Sequence, residues 1–160
     1  MFSAILFGMS ITQNELREAI KDAMRAKQEV RLSVLRGLLS SSTNELVAQG
    51  KKPTDKLSPD DLATLIRRAE KQRKDSIEQF EKGGRPDLAA KEKEELEILA
   101  TLLPPLMSKD EVLGLATAKA AEMGVTDKSR ANQLMGALMK DLKGKADGTV
   151  VKEAVDSLFA

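Results

Sequence analysis

Helix start and stop signals recur along this sequence and divide it into seven segments with apolar residues at helical spacing. Residues 12–15 (TQNE) and 108–111 (SKDE) match the capping box, in which a hydroxyl and a carboxylate bond the free amides of a first helical turn. Gly-Gly at 83–84 and Pro-Pro at 104–105 interrupt helices. No segment shows the polar–apolar alternation of a half-buried strand. These patterns predict an all-α fold with helices at about 13–26, 28–49, 59–82, 87–102, 108–123 and 127–143, and a last helix after 147.

The two prolines at 104 and 105 predict a boundary between two domains, because proline cannot continue a helix. We expect an N-terminal domain of long antiparallel helices at residues 10–103, whose last two helices form a hairpin folded at the Gly-Gly pair. A small three-helix C-terminal domain is expected at residues 106–160. For residues 1–9 we expect either a disordered extension or a start site placed too early, and we favour Met9 as the true initiator.

Histidine and cysteine are both absent from the sequence. Their absence removes the commonest general base, thiolate nucleophiles and the usual zinc ligands. The densest serine cluster, residues 40–42, lies within a predicted helix and has no base to activate it. The carboxylates at residues 92–97 fit a solvated helix face, and no glycine-rich phosphate loop follows a strand. We therefore predict no catalytic residues, no metal site and no cofactor, and no enzymatic activity for the chain by itself.

Two features bear on where the protein acts. No apolar run approaches the roughly 20 residues of a membrane span, so no membrane partner is expected. The absence of cysteine fits a protein of a reducing compartment. The sequence therefore predicts a cytoplasmic location.

Arg73 falls on the apolar stripe of the third predicted helix, between Ala69 and Ile77. In a hairpin folded near residue 84, Glu92 and Glu95 of the next helix lie at a similar depth. We predict that Arg73 forms a structural ion pair with these carboxylates and thereby sets the register of the hairpin. The alternative is that its stem covers apolar surface while its head reaches water.

A basic segment runs from residue 128 to residue 145. Charges nearly cancel over the whole chain, 26 basic against 25 acidic, so polyanion binding requires a local patch. Against Asp141 alone, this segment carries five basic residues and a local charge of +4: Lys128, Arg130, Lys140, Lys143 and Lys145. Such a segment can attract phosphates. A second basic run, residues 67–74, is expected to be a solvated helix face.

Gly136 lies inside the sixth predicted helix, where glycine costs about 1 kcal/mol relative to alanine. A helix retains such a residue either for close packing or for the close approach of a ligand backbone. From the residues alone we favour packing.

These residues resemble a known family. Residues 134–140 (LMGALMK) and 143–147 (KGKAD) are similar to the tail signature of the GatB/YqeY family. That tail ends the B subunit of the glutamine-dependent tRNA amidotransferase and also occurs in small stand-alone proteins. The first domain resembles the stand-alone branch at residues 31, 35–36, 71–80 (KQRKDSIEQF), 83–85, 87–88 and 103–104. The sequence departs from the tail pattern at residues 132–133, where Gly-Lys is common, at Lys145, where arginine often stands, and at Lys140 or Asp141, where proline does.

The resemblance implies a helical tail that helps to hold tRNA or another structured RNA, while ammonia production and glutamyl activation occur on other subunits. By this similarity, the RNA-binding residues would be Lys128, Arg130, Gly136, Lys140, Lys143, Gly144 and Lys145. The leading hypothesis is a non-catalytic RNA-binding accessory protein with an amidotransferase or translation partner. One rival is a protein-interaction module that docks through the N-terminal hairpin. Another is a subunit that completes a carbon–nitrogen ligase using glutamine as amide donor.

Overall fold

A computed structural model describes residues 10–160, so the expectations for residues 1–9 lie outside the described part of the chain. The described residues form seven α-helices and one 3-10 turn and contain no strand, which confirms the predicted all-α fold class. Both capping boxes are present, with Thr12 and Glu15 before the first helix and Ser108 and Glu111 before the fifth. The chain divides into two compact units, the first ending at Pro104 and the second spanning Pro105–Ala160. None of the described helices is both long and apolar enough to cross a bilayer.

The first unit consists of α1 (Gln13–Arg25), α2 (Glu29–Ala48), α3 (Pro59–Lys82) and α4 (Pro86–Ala100). Helix α1 packs against α2, α3 packs against α4, and α2 contacts both α3 and α4. The largest fully buried side chains of this unit are all aliphatic: Leu16, Leu35, Leu46, Leu62, Ile66, Leu99 and Leu102. Because no aromatic ring is among them, this core depends on many small apolar contacts between helices.

Gln13 is a buried polar residue that the sequence indicated only as part of a helix start. Its side-chain carbonyl accepts a hydrogen bond from the backbone N–H of Leu57 at 2.9 Å, and its amide donates to Ser42 Oγ at 3.2 Å. Ser42 in turn donates to the carbonyl oxygen of Leu39 at 2.7 Å. The buried polar side chains of Gln13 and Ser42 thus each have a hydrogen-bond partner, as low local dielectric requires. The network ties the loop before α3 to α1 and α2.

The structure brings Arg73, Glu92 and Glu95 together across the α3–α4 hairpin. Arg73 Nη1 lies 3.2 Å from a carboxylate oxygen of Glu92, and Nη2 lies 2.6 Å from one of Glu95. The two carboxylates are 18% and 15% exposed, whereas the arginine side chain is 36% exposed. One guanidinium therefore pairs with two largely buried carboxylates, offsets part of their charge, and links two turns of α4 to one turn of α3.

The second basic run differs from the solvated face that the sequence predicted. Arg67 pairs with the buried Glu70 at 2.9 Å and also donates to the carbonyl oxygen of Pro104. Arg68 pairs with Glu45 at 3.4 Å. The expectation was wrong for Arg67, because Glu70 on the same helix holds its guanidinium at the half-buried surface.

The second unit consists of α5 (Lys109–Glu122), a 3-10 turn (Lys128–Arg130), α6 (Ala131–Asp141) and α7 (Gly148–Leu158). Its core is again aliphatic and small, built on Val112, Ala116, Leu134, Leu138, Val151 and Val155. The sixth helix was predicted as one segment over 127–143, but α6 proper is shorter at both ends. Asp127 accepts the backbone N–H of Ser129 at 2.8 Å, only two residues on, which stabilises a tight turn before the helix begins.

Replacing Arg73 with methionine is expected to destabilise the first unit by about 1–3 kcal/mol, since Glu92 and Glu95 would be left facing each other without a cation. The triple change Arg73→Met, Glu92→Gln, Glu95→Gln is expected to recover most of that loss. Urea unfolding followed by helical circular dichroism measures both. Arg85→Met, which removes the exposed pair with Asp87, is the control, with an expected effect below about 1 kcal/mol. Equal losses for the single and triple variants would contradict the assigned role.

Candidate nucleic-acid interface

Helix α6 presents two opposite faces. Leu134 and Leu138 are buried in the core of the second unit. Gln133, Gly136 and Lys140 are exposed and follow one another at spacings of three and four residues. Residues at this spacing share one side of a helix, so the three lie on the solvent side over about 10 Å of helix length. The predicted sites Gly136 and Lys140 therefore belong to the same surface.

Arg130 extends this surface at the N-terminal end of α6. Its Nε and Nη2 both donate to the Gln133 side-chain oxygen, at 3.1 and 3.0 Å, and Nη1 donates to the carbonyl oxygen of Gly124 at 3.2 Å. Both acceptors are neutral, so these hydrogen bonds orient the guanidinium without neutralising it. We refer to Arg130, Gln133, Gly136 and Lys140 as the α6 row.

Asp141, the one acid of the basic segment, is directed towards α5. Its carboxylate lies 3.1 Å from Lys119 Nζ, and Lys119 also lies 3.4 Å from Glu122. Hydrogen bonds, first to Asp141 and then to Glu122, raise the pKa of Lys119. The acid thus pairs with a lysine outside the segment and not with one of the predicted RNA-binding lysines.

The remaining predicted cations are all exposed. Lys128 lies in the 3-10 turn, whereas Lys143 and Lys145 flank Gly144 in the turn after α6. Among the described residues, the side chains of Lys128, Lys140 and Lys145 form no ion pair. Three ammonium groups of one segment therefore remain available to an external anion.

The turn that carries Lys143 and Lys145 is held by backbone hydrogen bonds. Gly144 has φ +74°, a left-handed conformation that glycine adopts without the steric cost other residues have. The Lys145 N–H donates to the carbonyl oxygen of Leu142 at 2.9 Å, and the Lys145 carbonyl accepts the N–H of Met107, also at 2.9 Å. The left-handed conformation of Gly144 thus helps to form the turn that follows α6.

Gly136 is not explained by packing. A Cβ built at this position would meet no described atom within 4 Å, and the residue is exposed. The preference for close packing was therefore wrong, because the helix turns Gly136 away from the core that Leu134 and Leu138 enter. The alternative that the sequence left open is the close approach of a ligand backbone, and the open space at Gly136 is compatible with it.

A groove of about 350 Å³ lies between α6 and α7, beside the α6 row. It is lined by Ala131, Asn132, Met135, Met139, Gly148, Lys152, Val155 and Asp156. The sequence reasoning missed Lys152, which lies outside the basic segment. Gly148, Lys152 and Asp156 recur every four residues and so share one flank of α7, and this spacing could have shown it.

The comparisons with known proteins agree with the tail and hairpin motifs. Residues 13–159 match the family model described as Yqey-like protein. The chain belongs to the YqeY-like family. It is similar to three curated proteins named altered inheritance of mitochondria protein 41, mitochondrial. The Lachancea thermotolerans protein is 41% identical over 61% of this chain and 51% of its own length, and that of Kluyveromyces lactis is 32% identical over 90% and 80%. That of Saccharomyces cerevisiae is 34% identical over 61% and 51%.

Two consequences follow from these matches. The chain spans about half the length of the Lachancea and Saccharomyces relatives that it matches. The cytoplasmic location predicted from the sequence is contradicted, since the relatives are named as mitochondrial proteins. The prediction depended on the absence of cysteine. A protein without cysteine forms no disulfides in any compartment, so this feature does not distinguish the cytoplasm from mitochondria.

Replacing Gly136 with alanine is expected to stabilise the second unit by up to about 1 kcal/mol, because the helix gains a better helix former and nothing opposes the added methyl group. Gly144→Ala is the matched comparison and is expected to destabilise by about 1–2 kcal/mol, since alanine is strained at φ +74°. Thermal unfolding followed by circular dichroism measures both changes. A loss of stability in Gly136→Ala would restore the packing explanation.

Proposed function

We propose that this YqeY-like protein is a non-catalytic accessory that binds tRNA or a similarly structured RNA through the sugar–phosphate backbone. The observation that carries the proposal is the set of exposed cations on the α6 row and in the following turn, where Asp141, the one acid of the basic segment, pairs with Lys119. The family relation to the tail of the amidotransferase B subunit supports a connection with tRNA-dependent amidation or translation. The names of the relatives support a mitochondrial setting for this role.

The geometry supports recognition of phosphates more than of bases. Lys140 and Lys145 provide mobile point charges, whereas Arg130 provides a guanidinium held in one orientation by Gln133 and Gly124. Gly136 leaves space on the helix surface between the two ends of the row, so a nucleic-acid backbone can come closer there than beside a larger side chain. Neutralising phosphates releases counterions, and binding is therefore expected to weaken steeply as salt rises.

The arginines of α3 in the first unit are less available to a polyanion. Arg67, Arg68 and Arg73 are each paired with acids, which reduces the positive charge available along α3. Of the described residues in this unit, Met24 and Val47 are the exposed large hydrophobic side chains, and they belong to different helices. Single exposed apolar residues are ordinary on a protein surface and do not favour the hairpin-docking hypothesis.

The double variant Lys140→Glu, Lys145→Glu tests the proposal. Its affinity for a tRNA transcript at about 50 mM salt is expected to fall at least about tenfold, and the slope of log K against log salt to become shallower by about 2, one for each lost phosphate contact. Fluorescence anisotropy with labelled tRNA measures both quantities. Lys71→Glu, Lys74→Glu is the matched control, since it makes the same charge change at two exposed residues of α3.

Two results would contradict the proposal. One is no binding of tRNA by the unmodified protein at low salt. The other is an equal loss of affinity in the two double variants, which would show that overall charge and not the α6 surface governs binding.

A further inference from the structure

We propose that the groove between α6 and α7 is a pocket for one unpaired nucleobase of the RNA whose backbone lies along the α6 row. This inference rests on the proposed function and names the part of the RNA that the protein recognises. It predicts a preference for RNA with an unpaired nucleotide, which phosphate contacts alone do not give.

The position of the groove supports this occupant. Asn132 precedes Gly136 by four residues and Met139 follows it by three, so both lie on the flank of α6 next to the open surface at Gly136. Asn132 and Met139 line the groove, whereas Gly136 belongs to the α6 row. A backbone that crosses Gly136 therefore passes over the edge of the groove and can direct a base into it.

The chemistry of the groove supports a flat ligand with polar edges. Its lining includes Met135 and Met139, and methionine sulfur makes favourable contacts with aromatic rings. Its polar residues are Asn132, Lys152 and Asp156, and none of their side chains bonds to another described residue. These residues offer hydrogen-bond donors and acceptors beside two methionines. This combination matches a nucleobase, which has a flat aromatic ring and carries both donors and acceptors on its edge.

The size and shape of the groove also suit this ligand. Its volume of about 350 Å³ lies at the lower end of small-molecule sites. Met139 remains 46% exposed there, and its methyl group would lie 3.1 Å from a Cβ built at Gly148. Glycine at 148 thus leaves room for the methionine side chain at the groove wall. A purely aliphatic side chain of a protein partner would instead bring Lys152 and Asp156 against an apolar group without a polar contact.

Three RNA hairpins of one stem sequence test the inference with the full chain. One carries a single bulged nucleotide, the second carries an abasic residue at the bulge, and the third is fully paired. The unmodified protein is expected to bind the bulged hairpin about tenfold more tightly than either of the others, the order of magnitude of inserting one base into a protein site. Fluorescence anisotropy at one fixed low salt concentration gives the three dissociation constants.

Variants of the groove distinguish this pocket from the phosphate surface. Asn132→Ala, Met139→Ala is expected to lower affinity for the bulged hairpin to that of the abasic one, with the fully paired hairpin unaffected. Met24→Ala is the matched control, since it truncates an equally exposed methionine in the first unit and is expected to change nothing. Lys140→Glu is expected to weaken binding of all three hairpins by a similar factor.

The results of these binding measurements distinguish the base-pocket proposal from the RNA-binding function on which it rests. Equal affinity of the unmodified protein for the three hairpins would overturn the base pocket, leave RNA binding in place and direct attention to a protein ligand for the groove. Failure to bind any of the three hairpins would overturn both proposals.

Discussion

Each helix of this protein buries a narrow aliphatic stripe in one of two separate cores, and every other feature depends on that arrangement. With four phenylalanines as its only aromatic residues, the chain relies on leucine, isoleucine, valine and alanine to fill both cores. Stripes of this kind leave most of each helix surface outside the core. In the second unit, Leu134 and Leu138 fix the rotation of α6 and thereby determine that Gly136 and Lys140 face solvent.

Electrostatics differ between the two units although the whole chain is nearly neutral. In the first unit, Arg67, Arg68 and Arg73 lie against acids that reduce their charge. In the second unit, the one acid within the basic segment, Asp141, pairs with Lys119 of α5. The fold therefore leaves these three arginines of α3 paired, whereas Lys128, Lys140 and Lys145 form no ion pair with another described residue. The total charge of +1 does not reveal this difference, because the difference depends on which charged residues the fold brings together.

Local signals predicted most of the fold. Caps, glycines and prolines act over a few residues, so helix positions and the all-α class followed from the sequence, and the pairing of Arg73 followed from counting residues on either side of the hairpin turn. Contacts between distant segments were not accessible in this way. Gln13 bonds Leu57 and Ser42, 44 and 29 residues away, and nothing near Gln13 in sequence indicates either partner. The burial of Glu70 with Arg67 was missed because a charged run usually indicates a solvated face.

The candidate interface was predicted in part. The basic segment was visible in the sequence as an excess of positive charge. The pairing of Asp141 with Lys119 and the open space at Gly136 could be found only in the folded structure. Lys152 was missed because it lies on α7, and only the packing of α7 beside α6 brings it to the groove. The resemblance to the amidotransferase tail supplied what geometry alone does not, the proposal that the ligand is RNA.

The central claim is that the solvent side of α6 and the turn after it contact RNA. Backbone amide chemical shifts of the full chain, followed by NMR as unlabelled tRNA is added, test this most directly. The account predicts that the largest changes fall on Gln133, Gly136, Lys140 and Lys145. Changes confined to α1–α4, or amide shifts that stay constant up to saturating tRNA, would contradict it.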